Sequence, residues 1–110
     1  GNWVCRSEDG GQTWSDPIDS IVTAPHGPIQ LTDGTLMYVG RNRKVGDKNL
    51  PLPPDDQLLA AAASTDNGKS WQITGYIPVP DFVKEARDFH EPHVIENHKG
   101  TLIAMFRFSW

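Results

Sequence analysis

An eight-residue stretch occurs twice in this chain and limits what the chain can fold into. The copies are Ser7-Glu8-Asp9-Gly10-Gly11-Gln12-Thr13-Trp14 and Ser64-Thr65-Asp66-Asn67-Gly68-Lys69-Ser70-Trp71. They agree at Ser, Asp, Gly and Trp and lie 57 residues apart. Each shared residue has a physical role in a tight turn. An Asp carboxylate accepts hydrogen bonds from backbone N–H groups that a turn leaves unpaired, and a Ser hydroxyl adds a weaker one. Gly allows the positive φ such a turn needs. A Trp at the exit can fold back and bury its ring between strands as a hydrophobic anchor. Four specified positions recurring together indicate an internal repeat.

A second repeat interleaves with the first. Residues 29–31, the turn Thr32-Asp33-Gly34 and residues 35–40 have the pattern of a β-hairpin. Residues 94–96, the turn Asn97-His98-Lys99-Gly100 and residues 101–106 have it again. Pro28 matches Pro92, Gly34-Thr35-Leu36 matches Gly100-Thr101-Leu102, and Arg41 matches Arg107. The Gly-to-Arg spacing is seven in both, and the second copy carries two extra residues in its first half. The resulting unit of about 57 to 66 residues suits a four-stranded module of hairpin, loop, strand, box and strand.

Between these landmarks, residues 2–6 and 59–63 lead into the boxes as strands, and residues 18–22 and 72–77 leave them as outer strands. The run Leu58-Leu59-Ala60-Ala61-Ala62-Ala63 favours helix on propensity. Its place in the repeat favours a buried strand with alanines where packing is tight, and tertiary context overrides propensity. Pro51, Pro53 and Pro54 forbid regular structure in the polar loop through Gln57. Asp81 is placed to cap a helical turn or two over residues 82–87.

Composition agrees with a turn-rich all-β chain: 37% hydrophobic, with 10 glycines and 9 prolines in 110 residues. A net charge of −4 speaks against a general nucleic-acid or anionic-membrane surface. Cys5 is the single cysteine, so no intrachain disulfide forms, and it suits a buried strand position. The sequence has no signal-peptide pattern and no apolar run near the roughly 18 residues of a membrane helix, and it assigns no compartment.

The box pattern S-x-D-x-G-x-x-W resembles the Asp box, or BNR repeat, of the sialidase (neuraminidase) superfamily, where each box joins the third and fourth strands of a β-propeller blade. The resemblance covers nearly the whole chain. It implies consecutive four-stranded antiparallel blades of a six-bladed sialidase-like propeller. Residues 1–23 would form strands three and four of one blade with the box at 7–14. Residues 24–78 would form a complete blade with the box at 64–71. Residues 79–110 would supply an inter-blade loop and strands one and two of the next. About two blades cannot close a ring alone. Unpaired edges invite self-association, and three copies would close six blades.

The residues for chemistry cluster around His90-Glu91-Pro92-His93. Glu91 precedes the first strand of its hairpin and Arg107 follows the second, so the open ends of the hairpin should make them neighbours. By the same alternation, Glu91, Arg107, Arg41 and His26 should share one face, with both boxes on the other. The resemblance implies the same arrangement, since sialidases carry their active site on the face away from the Asp boxes. It implies that Glu91 partners a tyrosine nucleophile and that Arg107 binds the substrate carboxylate. Arg41 and His90 are further candidate substrate-binding residues. Arg41, Arg43 and Lys44 either touch an anionic ligand or form a solvated strand end. His26 and His98 suit solvated loops. The HEPH run is not the helical H-E-x-x-H zinc motif, and neither metal nor cofactor is implied. Ser7, Asp9, Gly11 and Trp14, with Ser64, Asp66, Gly68 and Trp71, are structural.

The chain lacks matches to the acid/base aspartate, the tyrosine and two further arginines of sialidases. Tyr38 and Tyr76 lie within strands. Two functions therefore stand: part of an exo-α-sialidase-like glycoside hydrolase acting on a terminal acidic sugar such as sialic acid, or a non-catalytic Asp-box propeller that binds glycan or protein.

Overall fold

The computed structural model of the chain describes residues 2–42, 49, 51, 53–83 and 88–108. Its nine strands are β1 (Trp3–Val4), β2 (Ile18–Asp19), β3 (Val22–Thr23), β4 (Ile29–Gln30), β5 (Leu36–Asn42), β6 (Leu59–Ser64), β7 (Gln72–Tyr76), β8 (Phe89–Glu96) and β9 (Leu102–Phe108). All pair antiparallel, and no α-helix occurs among the described residues. β1 and β2 form one sheet, β8 and β9 another. The largest sheet has the order β3-β5-β6-β7, with β4 also on β5. β3 meets one end of β5, at Arg41 and Asn42, and β4 meets the other, at Leu36 and Met37.

The alanine run forms strand β6, and its environment explains why. Ala60 and Ala62 are fully buried with Tyr38, Trp71 and Val22, against Val4 and Ile18 of the first sheet. Ala61 and Ala63 point the other way and join Met37, Val39 and Val94, the last from β8. The central sheet is thus covered on both faces, and side-chain alternation splits the alanines between two interfaces. Helix propensity loses because a helix could present neither face in register. Gly40 meets a similar limit. A Cβ there would lie 2.3 Å from the carbonyl oxygen of Thr23.

Two expectations need correction. Residues 18–22 are not one strand. Ile21 has φ 68° and the Val22 N–H bonds to the Ser20 carbonyl at 2.7 Å. This is a γ-turn of the strained, positive-φ kind, held although Ile is β-branched. It sends β2 back to β1 and β3 across to β5. The loop before Gln57 contains one turn of 3₁₀ helix, Asp55–Gln57, entered from Pro54 at φ −52°. A proline suits that entry because its φ is already set. Residues 81 and 82 form a turn, with the Val83 N–H bonded to the Pro80 carbonyl at 2.9 Å. The rest of the expected helical segment, 84–87, and both Arg43 and Lys44 lie outside the described residues.

The two boxes superimpose in their hydrogen bonding. Ser7 Oγ donates to Asp9 Oδ1 at 2.8 Å, and Ser64 Oγ to Asp66 Oδ1 at 2.8 Å. The N–H groups of Gly11 and Gly68 each donate to the box serine at 2.8 Å. The N–H and hydroxyl of Thr13 bond to the two oxygens of Asp9, as those of Ser70 do to Asp66. Positive φ occurs at two consecutive positions, Gly10–Gly11 and Asn67–Gly68, residue types that tolerate it. The tryptophans differ. Trp71 is buried and packs edge-on against Tyr38 at 6.1 Å, as expected. Trp14 is 62% exposed and donates its indole N–H to the Gly11 carbonyl instead, so only one box carries a buried anchor. Cys5 is half-buried.

Polar ties hold the sheets together at the box end. Arg6, following β1, donates from Nε to the Asn67 carbonyl at 2.7 Å. Thr32 donates its N–H and hydroxyl to Glu96 Oε1, linking the turn after β4 to the end of β8.

Two outcomes are expected. Gly40→Ala should cost about 1–3 kcal/mol through overpacking against Thr23, seen as a lower Tm in thermal denaturation. The carboxyls of Asp9 and Asp66 are each lowered from 3.8 to about 2, chiefly by the hydroxyls of Thr13 and Ser70 and then by the same residues' N–H groups. The folded state therefore binds fewer protons. Stability from the boxes should be full above about pH 4 and vanish as pH falls through about 2. A double Asp9→Asn, Asp66→Asn variant should lose part of that acid dependence in pH-stepped melts.

Candidate functional site

The end of the central sheet opposite the boxes is fixed by register. Leu36 pairs with Ser64 at the box end, and Arg41 pairs with Leu59 at the other. Arg41 shares the face of Met37 and Val39, which pack toward β8, so it is directed to the β8–β9 sheet. Across from it, strand pairing sets His90 opposite Arg107. Between the two sheets lies a cleft of about 550 Å³, lined by Thr23, Ala24, Pro25, Arg41, His90, Glu91, Pro92 and Arg107.

Glu91 is not before its strand, as the sequence suggests, but inside it. The ladder passes from His90↔Arg107 to His93↔Met105, so Glu91 and Pro92 together oppose Phe106. This is a β-bulge. Proline accounts for its place, since Pro92 has no N–H to give the ladder. The bulge also decides where Glu91 points. In unbroken alternation Glu91 would share the apolar face of Phe89, whose ring packs on Phe106 and Phe108. With the bulge and φ 50° at Glu91, its Oε2 lies 2.9 Å from Nη1 of Arg107. A positive φ on a non-glycine residue just before proline is disfavoured twice over. Strain of that kind is characteristic of functional positions.

The ion pair is open to solvent, with the Arg107 side chain 67% exposed and that of Glu91 44%. Its contribution to stability is therefore small. Arg41 differs: its Nε is buried and has no hydrogen-bond partner among the described residues. Two arginines against one glutamate make the cleft locally cationic on a chain of net charge −4, which favours small anions. No tyrosine lines it. The Tyr38 hydroxyl is buried and bonded to both the N–H and the carbonyl of Ala24, and Tyr76 lies on β7. Among the described residues no three His, Cys, Asp or Glu side chains converge as metal ligands.

The structure brings together Glu91, Arg107, Arg41 and His90. His26 lies just outside the cleft lining, its ring edge-on to that of His93 at 5.3 Å, rather than simply solvated. His98 is exposed in the turn after β8. Sequence reasoning missed Thr23, Ala24 and Pro25. The available signal was position: they precede the first hairpin as residues 90–92 fall within the second. It also missed the hydroxyls of Thr13 and Ser70, visible as a shared residue class one place before each box tryptophan. Compared with known proteins, the chain matches no family model, no curated protein and no solved structure.

The strain at Glu91 is testable. Glu91→Gly should be more stable than Glu91→Ala by about 1 kcal/mol, because only glycine relieves the left-handed backbone. Parallel urea titrations of the two variants would measure the difference, and equal midpoints would mean the backbone relaxes on substitution.

Proposed function

We propose that this chain is part of a sialidase-like glycoside hydrolase, its three stacked sheets being consecutive blades of a propeller, and that the cleft receives a terminal acidic sugar. The observation that carries the reading is the Glu91–Arg107 ion pair beside Arg41, at the sheet ends opposite both Asp boxes. The exposed apolar residues Ile95, Ile103 and Met105 on the outer face of β8–β9 support the propeller. A following blade, from the same polypeptide or from another copy, would cover them.

The chemistry follows from charge. A phenol at its ordinary pKa near 10 is a poor nucleophile at pH 7 and needs an adjacent base. A carboxylate nucleophile would repel an acidic substrate, and a tyrosine avoids that, as the sialidase exception among glycosidases illustrates. Glu91 is the proton acceptor in this scheme, for a tyrosine from another part of a longer polypeptide, since Tyr38 and Tyr76 both lie away from the cleft. Arg107 holds the Glu91 carboxylate at the cleft through their 2.9 Å contact. The lack of any tyrosine at the cleft favours a second reading, a glycan-binding propeller without turnover.

Hydrolysis of a fluorogenic α-sialoside by the protein of the complete reading frame separates them. On the first reading it turns over, and Glu91→Gln lowers kcat by about 10²-fold or more with the fold intact. Saturable binding of a sialoside without turnover would establish the second and end the first.

A further inference from the structure

We infer that Arg41, and not Arg107, is the primary anchor for the anionic group of the cleft's ligand; the inference rests on the acidic-ligand reading above. The resemblance assigns that contact to Arg107. The geometry divides the labour differently. The Arg107 guanidinium already meets the Glu91 carboxylate at 2.9 Å. A second carboxylate arriving there would face Glu91 directly, a like-charge contact that weakens it. Arg41 forms no ion pair among the described residues, and its buried Nε–H lacks an acceptor. A buried donor without a partner is costly, and an incoming anion that turns the guanidinium to meet it removes that cost.

Position supports the assignment. Arg41 sits opposite Thr23 in the β3–β5 ladder, so the wall behind it is the strand end and loop of Thr23, Ala24 and Pro25. That wall has no acidic side chain. Glu91 and Arg107 stand on the opposing sheet. A sugar acid in the cleft would set its carboxylate against Arg41 and the Thr23–Pro25 wall. Its ring would then lie toward Glu91, leaving Glu91 to handle protons at the reacting end. Arg41 and Arg107 occupy equivalent places in the internal repeat. The two copies have diverged in use: one arginine orients a carboxylate of the protein, the other receives one from the ligand.

The test uses the protein of the complete reading frame and NMR of arginine Nε–H signals. The probes are N-acetylneuraminic acid, glucuronic acid, sodium acetate and neutral N-acetylmannosamine. The expected result is that the Arg41 Nε–H signal shifts with N-acetylneuraminic acid and not with N-acetylmannosamine. Arg41→Met should weaken N-acetylneuraminic acid binding by about tenfold or more, the loss of a charge-assisted hydrogen bond. Arg41→Lys should recover part of it, since lysine keeps the charge but loses the planar fork. Arg107→Met should weaken it by less than about threefold, as an exposed pair allows. Binding of N-acetylneuraminic acid that shifts Arg107 and spares Arg41 would overturn the anchor while leaving the proposed function standing. A shift of Arg41 with glucuronic acid or acetate but not N-acetylneuraminic acid would keep the anchor and remove the sialic-acid reading. No response of Arg41 to any anion overturns the assignment, and this readout on the unaltered chain holds even if the Arg41 variants fail to fold.

Discussion

Burial of the central sheet on both faces is the constraint on which the rest of this structure depends. A sheet with neighbours on each side needs small side chains where the layers come close and larger ones where they diverge. β6 meets that need with alanines at Ala60 and Ala62 on one side and Ala61 and Ala63 on the other. β5 supplies bulk on both faces, through Tyr38 toward the first sheet and Met37 and Val39 toward the third. The same alternation that buries Met37 and Val39 carries Arg41 out to the sheet end on their side. The cleft therefore inherits its arginine from the packing pattern of the core.

The boxes solve a different problem. Each closes a pair of antiparallel strands by a loop too irregular to satisfy its own backbone. One serine hydroxyl and one carboxylate take up the N–H groups of Gly11 and Thr13 in the first box and of Gly68 and Ser70 in the second. Because that network is self-contained, the loop holds its shape whether or not its tryptophan finds a core. Trp14 shows this, since it lies exposed over an intact box. Arg6 then uses the second box as a fixed point, through the Asn67 carbonyl, while Thr32 ties the turn after β4 to Glu96 of β8.

Much of this was legible from residue patterns. The two boxes, the hairpin turns at Gly34 and Gly100, and the nearness of Glu91 to Arg107 all follow from local turn chemistry and antiparallel pairing. What escaped depended on single residues held against their preferences. No propensity announces that Ile21 adopts φ 68°, because the γ-turn is imposed by β2 and β3 joining different sheets. Glu91 at φ 50° is hidden for the same reason. The cleft wall at Thr23–Pro25 has no motif at all. Its residues matter only because the chain crosses there between the two strands that share one edge of β5.

The cleft lies where the two copies of the hairpin repeat differ most. In the first copy the edge beside β5 is broken into β3 and β4 by the loop at 24–28. In the second copy β8 runs through the equivalent place and carries a bulge at Glu91–Pro92. Either device takes the edge strand out of regular alternation and frees side chains to face the neighbouring sheet. A loop and a bulge set opposite each other leave a gap that two regular strands would fill. Divergence of an edge strand, with the serine–aspartate hydrogen bonding of the boxes left alike, makes a site without disturbing the core that supports it. Pro92 is the residue that commits the second copy to this course. It removes a ladder N–H, forces the bulge, and by doing so turns Glu91 from the apolar face of Phe89 to the guanidinium of Arg107.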